Sequence, residues 1–203
     1  MSIRLATWPN LLSGTRVLLG PVVMALIIQG GPTAYSAALL VMIAAEATDI
    51  ADGWLGRRIG PQTPIGRLID IAADTLYHLM VYAAFLANDW MPPMVLFLIF
   101  AQELIIPYMR TFGLQRGRRL EIRWSSRAKT FADGLCQIAV VAMILIFYAD
   151  DPSAGAKAAT VLIGIAALAS ILTTVDHAIA GYDLWSRPET APPASEMKPP
   201  ESV

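Results

Sequence analysis

Apolar residues fall into six long stretches separated by short polar clusters. They cover Asn10–Gln29, Thr33–Thr48, Leu68–Ala87, Met91–Met109, Phe131–Ala149 and Ala158–Tyr182. A helix that crosses a bilayer needs about 17–25 apolar residues, and each stretch reaches or approaches that length. Turn-forming residues bound them: Gly30-Gly31-Pro32, Gly60-Pro61, Asn88-Asp89 and Asp150-Asp151-Pro152. The pattern predicts an all-α chain, an integral membrane bundle of six transmembrane helices. The first stretch is long and no small-residue cleavage site clearly follows it, so it reads as a retained helix, not a signal peptide.

Basic residues in the short loops set the orientation. The loops after the first and third stretches hold none, and the loop after the fifth holds Lys157 alone. Every other cation of the 15 lies on the opposite side: Arg4 and Arg16, then Arg57, Arg58 and Arg67, then the run from Arg110 to Lys129, then Arg187 and Lys198. Both termini are therefore expected in the cytoplasm. Residues 1–186 form the membrane domain. Residues 187–203 are rich in Pro, Glu and Ser without periodicity and are expected to be a disordered cytoplasmic tail.

Composition narrows the class. Hydrophobic residues make up 56% of the 203 and charged residues 15%, against about 25% charged in soluble proteins. Mean hydropathy is +0.54. A net charge of −1 gives no global basic signal, so nucleic acid is not an expected partner. Cys136 is the one cysteine, so neither an internal disulfide nor a cysteine metal site is available, and it reads as packing.

The acids carry the chemistry. Asp49 and Asp52 lie at the cytoplasmic end of the second stretch, spaced i,i+3. Asp70 and Asp74 lie near the start of the third, spaced i,i+4. Each spacing puts both carboxylates on one helix face. Gly60-Pro61 and Pro64 let the chain turn so that the two faces meet. Arg57 and Arg67 do not fully offset four acids crowded at a membrane boundary. A hard divalent cation, Mg²⁺ or Mn²⁺, is the natural complement to such oxygen donors. No histidine or cysteine is expected beside them, which argues against zinc.

Asp49-Ile-Ala-Asp52-Gly53-Trp-Leu-Gly56-Arg57, eight residues, then Gly66-Arg-Leu-Ile-Asp70-Ile-Ala-Ala-Asp74 resembles the signature of the CDP-alcohol phosphotransferase family, D-x2-D-G-x2-A-R-x8-G-x3-D-x3-D. Gly56 stands where the family usually has alanine. The resemblance implies transfer of a substituted phosphate from a CDP-linked donor to an alcohol, with release of CMP. It implies that Asp49, Asp52 and Asp70, with Asp74 close enough to contribute, hold the divalent metals, two ions in number. Asp74 is implied as the general base. Asp49, Gly53, Arg57, Thr63 and Gly66 are implied as the donor nucleotide site. The chemistry agrees, since phosphoryl-group transfer is mostly positioning and charge neutralisation.

A membrane bundle suits a lipid donor, and CDP-diacylglycerol is the expected one. Seven cations between Arg110 and Lys129 exceed what orientation needs. They read either as an anion pocket or as attraction to anionic headgroups. A second resemblance favours the pocket for Arg110, Arg127 and Lys129. Trp8-Pro9-Asn10-Leu11-Leu12-Ser13-Gly14-Thr15-Arg16 is similar to the opening of phosphatidylglycerophosphate synthases, as is the run from Arg110 through Gly117 to Ser126-Arg127-Ala128-Lys129-Thr130. The chain departs from those enzymes at Ile71 and Thr75, where they carry Pro and Lys. Glycerol 3-phosphate is the leading acceptor; inositol phosphate, serine and phosphatidylglycerol are the alternatives.

Other polar residues take lesser roles. Glu103 lies two helical turns before Arg110 and is expected to face the same cavity. Asp133 is expected to pair with Lys129 at i,i+4. Asp176 and His177 read as structural or interfacial, and Trp8, Trp54, Trp90, Trp124 and Trp185 as interfacial anchors. Asn10 is read either as a headgroup ligand or as the cap of the first helix. A homodimer is expected, with small residues Ala159, Gly164, Ala167 and Ser170 permitting close helix contact. The rival classes are an ion-coupled transporter and a catalytically silent membrane scaffold. The first expects acids near mid-membrane, and the second expects a lost signature acid.

Overall fold

The computed structural model describes residues 8–59, 64–115 and 124–186, with side chains described over 14–48, 70–109, 131–179 and 181–182. The described residues form six helices and no strand: α1 (Trp8–Gln29), α2 (Pro32–Ile59), α3 (Pro64–Ala87), α4 (Pro93–Gln115), α5 (Trp124–Ile146) and α6 (Pro152–Ser186). Four of them open on proline, whose fixed φ suits the first helical turn and whose missing N–H is unneeded there. Each apolar stretch lies almost wholly inside one helix, but the helices are longer. α2 continues past Thr48 to Ile59, so Asp49 and Asp52 sit within it, not at its end.

The turns show local causes. Gly30 and Gly31 adopt φ values of 72° and 92°, which only glycine takes without strain, and the chain reverses between α1 and α2. α3 stops with Asp89 in the left-handed region at φ 58°. Trp90 N donates to Phe85 O at 3.0 Å and Asp89 N to Leu86 O at 3.0 Å, the two bonds of a Schellman cap. The apolar contact that accompanies this cap is present as well, with the Phe85 and Trp90 rings 5.8 Å apart. Trp90 also lies 5.9 Å from the Tyr35 ring and is 8% exposed. It is therefore part of an interior aromatic cluster, not the interfacial anchor its loop position suggested. At the start of α6, Asp151 Oδ1 accepts from Ser153 Oγ at 2.7 Å and from Ala154 N at 3.0 Å, an N-cap.

α3 packs on α1, α4 and α5; α2 packs on α1 and α5; α6 packs on α5 and α4. Val23, Ile27, Met42, Val81, Phe85, Val140 and Ile163 form the centre of the core. α1 and α3 approach closely at Gly20, where a Cβ would stand 2.8 Å from Met80 Sδ. The small residues Ala159, Ala167 and Ser170 are buried within the chain, with Gly164 alone of that stripe exposed. Their close packing is thus already used inside one copy. Cys136 Sγ donates to Leu162 O at 3.3 Å and joins α5 to α6, in keeping with a packing role.

Large apolar side chains cover the exterior as well as the core, and several polar groups are buried. Leu18, Leu40, Met94, Phe97, Val161 and Ile165 are each at least 60% exposed, while Arg16, Gln102, Asp133, Gln137 and His177 are buried. By length and composition, Pro152–Ile179 is the one stretch among the described residues that suffices to cross a membrane. Gly14–Gln29, Pro32–Thr48, Pro93–Met109 and Phe131–Ile146 are apolar but shorter. α3 falls out of that set because Asp70, Asp74 and His78 interrupt its first half.

Candidate active site

The residues of the acidic signature fall in the C-terminal half of α2 and the N-terminal half of α3. Asp49, Asp52, Gly53 and Arg57 lie on α2, and Gly66, Asp70 and Asp74 on α3. The side chains of Asp49, Asp52, Arg57, Arg110, Arg127 and Lys129 lie outside the described residues, as do the surroundings of Gly53 and Gly66 and the whole of Thr63. Asp70 and Asp74, one turn apart on α3, are both half-buried.

Asp74 is the best-defined member. Arg16 Nη1 lies 3.3 Å from its Oδ1, an ion pair between α1 and α3. Arg16 is 2% exposed, so its charge serves this interior site and is not a surface orientation charge. His78 Nε2 lies 3.4 Å from the same oxygen. The absence of histidine beside the acids, expected from the signature alone, is thus corrected: His78 continues the Asp70–Asp74 face by one more turn. Gln137 on α5 anchors that imidazole, with Oε1 2.8 Å from Nδ1 and Nε2 donating to the His78 carbonyl at 3.0 Å.

Behind Asp74 is a small cavity of about 30 Å³, enough for one or two waters. Asp74, Thr75, His78, Tyr82, Glu103 and Asp133 supply its polar lining. Thr75 Oγ1 donates to Glu103 Oε2 at 3.3 Å, and Glu103 faces the cavity that Asp74 lines. Asp133 is buried and accepts from the Tyr82 hydroxyl at 3.3 Å; the Lys129 side chain proposed for it is outside the described residues. His177 is buried, with Nδ1 2.8 Å from Thr173 O within its own helix, a structural role.

Glu46 went unnoticed in the sequence. It sits on α2 one turn before Asp49, and its carboxylate packs on Gly134 of α5, where a Cβ would stand 2.5 Å from Oε1. The signal was available for both missed residues. Extending the 49–52 spacing backward by one turn reaches Glu46, and extending 70–74 forward reaches His78.

The model of the CDP-alcohol phosphatidyltransferase family matches residues 6–185. The chain belongs to that family. The chain is 30% identical over 150 residues to a CDP-diacylglycerol--glycerol-3-phosphate 3-phosphatidyltransferase of Pseudomonas fluorescens, covering 71% of this chain and 73% of that one. It is 34% identical over 109 residues to a CMP-forming cardiolipin synthase of Streptomyces coelicolor, covering 52% and 51%, so the match spans about half of each chain. An archaetidylinositol phosphate synthase of Aeropyrum pernix is 29% identical over 133 residues, 64% of each chain. The 49–74 acids lie within the matched span, and Arg16 and His78 both reach Asp74 Oδ1.

Proposed function

We propose that the chain transfers the phosphatidyl group of CDP-diacylglycerol to glycerol 3-phosphate and releases CMP, a step of phospholipid biosynthesis. One observation carries the reading. The last acid of the 49–74 signature, Asp74, meets the last residue of the Trp8–Arg16 opening at 3.3 Å. Two segments that separately resemble the family and its phosphatidylglycerophosphate synthases are thereby joined in one interior ion pair. The Pseudomonas relative supports the same acceptor.

In this reading the acceptor hydroxyl oxygen bonds to the phosphorus that carries diacylglycerol, and the bond from that phosphorus to the CMP oxygen breaks. Asp74 takes the hydroxyl proton, within hydrogen-bond reach of the reacting group. Arg57 pairs with the donor phosphates, and Gly53 lets the nucleotide approach the α2 backbone. Arg110, Arg127 and Lys129 bind the acceptor phosphate. Thr63 and Gly66 complete the donor side.

Asp70 and Asp74 are half-buried oxygen donors one turn apart, a donor chemistry that suits Mg²⁺ or Mn²⁺. Among the described residues no group of three His, Cys, Asp or Glu side chains forms a metal site. Asp49, Asp52, Asp70 and Asp74 would together hold two ions. Bound there, such ions supply charge neutralisation on the phosphate oxygens.

The exposed apolar side chains support a bundle embedded in a membrane, and the segregation of basic residues supports both termini and the site on the cytoplasmic face of the bacterial cytoplasmic membrane. The exposed apolar faces meet acyl chains, and a second copy completes a homodimer. The test is CMP release from CDP-diacylglycerol and Mg²⁺ by the detergent-purified chain, with glycerol 3-phosphate, inositol phosphate, serine and phosphatidylglycerol supplied separately. Release that depends on glycerol 3-phosphate supports the proposal. Release that depends on phosphatidylglycerol shifts it to cardiolipin formation, the activity in the Streptomyces relative's name.

A further inference from the structure

We propose that His78 is a positioning residue for Asp74, oriented for that task by Gln137. The inference rests on the phosphatidyl-transfer reading above, in which Asp74 is the base.

The geometry determines which face of the imidazole does what. Gln137 is 1% exposed and directs both ends of its amide at one residue. Its Nε2 donates to the His78 carbonyl oxygen at 3.0 Å. A flipped amide would set two oxygens against each other, so the amide orientation is fixed by this contact. The other end, Oε1, then faces His78 Nδ1 at 2.8 Å and accepts a hydrogen bond from its N–H. With the Nδ1–H committed to α5, Nε2 is the nitrogen directed at Asp74 Oδ1, 3.4 Å away, and it holds that oxygen as a donor in the imidazolium form, in which both ring nitrogens carry protons.

Arg16 reaches that same oxygen from α1 at 3.3 Å. One oxygen of the base is therefore gripped from two helices, and the grip on α3 is itself tied to α5. A carboxylate turns readily about its last torsion, a broad, roughly two-fold well. Holding one oxygen fixes where the other points. A base displaced by about 1 Å can lose about 10²-fold in rate without any change in what binds. Gln137 is buried in the interior of the bundle, where a polar side chain without a partner is costly. Both of its amide contacts are with His78.

The test compares two polar replacements of similar size. His78→Gln places an amide N–H where Nε2 stands, and His78→Asn places one where Nδ1 stands. We expect H78Q to keep kcat within about threefold of wild type, and H78N to lose about 10- to 100-fold. KM for CDP-diacylglycerol should stay within about twofold in both, and their melting temperatures should match. A merely structural histidine would not distinguish the two variants by kcat at equal stability. Equal kcat in H78Q and H78N, or a loss confined to KM, overturns the positioning role while wild-type turnover leaves the phosphatidyl-transfer reading intact. No CMP release by the wild type with any acceptor overturns both.

Discussion

Removing the Arg16 guanidinium takes a buried cation away from Asp74 and leaves that carboxylate less well held inside the bundle. A hydrogen bond to a charged group is worth about 1.5–3 kcal/mol, and Asp74 is 28% exposed, so the lower part of that range applies. Arg16→Ala should lower the melting temperature and abolish CMP release, and Arg16→Lys should restore more stability than turnover because a point charge lacks the planar fork. Equal turnover in R16A and wild type would show that the ion pair is not part of the working site. Gly134 is the second sensitive position. A Cβ there meets the Glu46 carboxylate at 2.5 Å, and since that carboxylate ends a flexible side chain, it will swing aside at modest cost. Gly134→Ala should therefore fold, lose about 1–3 kcal/mol or less in a denaturation experiment, and move Glu46. A loss much larger than that would mean that the α2 and α5 backbones themselves are forced apart. At this scale the sequence was half legible. The spacing of Asp70 and Asp74 placed them on one face, but the contact of Arg16 with Asp74 joins positions far apart in the chain. No local period encodes that contact. Arg16 was visible as the end of an opening motif and was also counted as a topological charge; its burial decides between the two.

Helix boundaries were legible where turn chemistry is strong. Pro32, Pro64, Pro93 and Pro152 each open a helix, and Gly30-Gly31 closes the turn before α2. The apolar stretches understated the helices because lipid-facing length and helix length are different quantities. α6 runs for 35 residues, about 50 Å at 1.5 Å per residue, against a hydrocarbon core of about 30 Å. Trp90 shows the reverse difficulty. Its position after α3 matched a boundary tryptophan, but the Schellman cap folds it back onto Phe85, and only cap geometry reveals that. The α6 cap yields a pH prediction. The Ser153 hydroxyl and the Ala154 N–H hold the exposed Asp151 carboxylate below the usual aspartate range. A group whose pKa is lowered on folding contributes stability above its unfolded value, about 3.9, and loses it as pH falls through the folded value. The melting temperature of Asp151→Ala should therefore lie below wild type at pH 7, with the gap closing as the pH drops through the carboxylate range. A gap independent of pH would show that the cap acts through shape and not through its charge.

The described residues form a bundle with an apolar core, a few buried polar groups and an apolar exterior, with the aromatic cluster of Tyr35, Phe85 and Trp90 at one end and the 49–74 acids toward the other. That division follows from the chain alone: the acids lie in the C-terminal half of α2 and the N-terminal half of α3, while the opposite halves of the same helices carry Tyr35 and Phe85. The all-helical class and the six elements were legible in the hydropathy pattern. The small cavity behind Asp74 was not, because Thr75, Tyr82, Glu103 and Asp133 come from three helices and meet only in three dimensions. The most direct measurement is the mass of the lipid formed from CDP-diacylglycerol, glycerol 3-phosphate and Mg²⁺, by wild type and by Asp74→Asn side by side. Phosphatidylglycerophosphate from wild type, and none from D74N or after EDTA treatment, is the expected result. Undiminished product from D74N would contradict Asp74 as the base, and no phosphatidylglycerophosphate from folded wild type would contradict glycerol 3-phosphate as the acceptor.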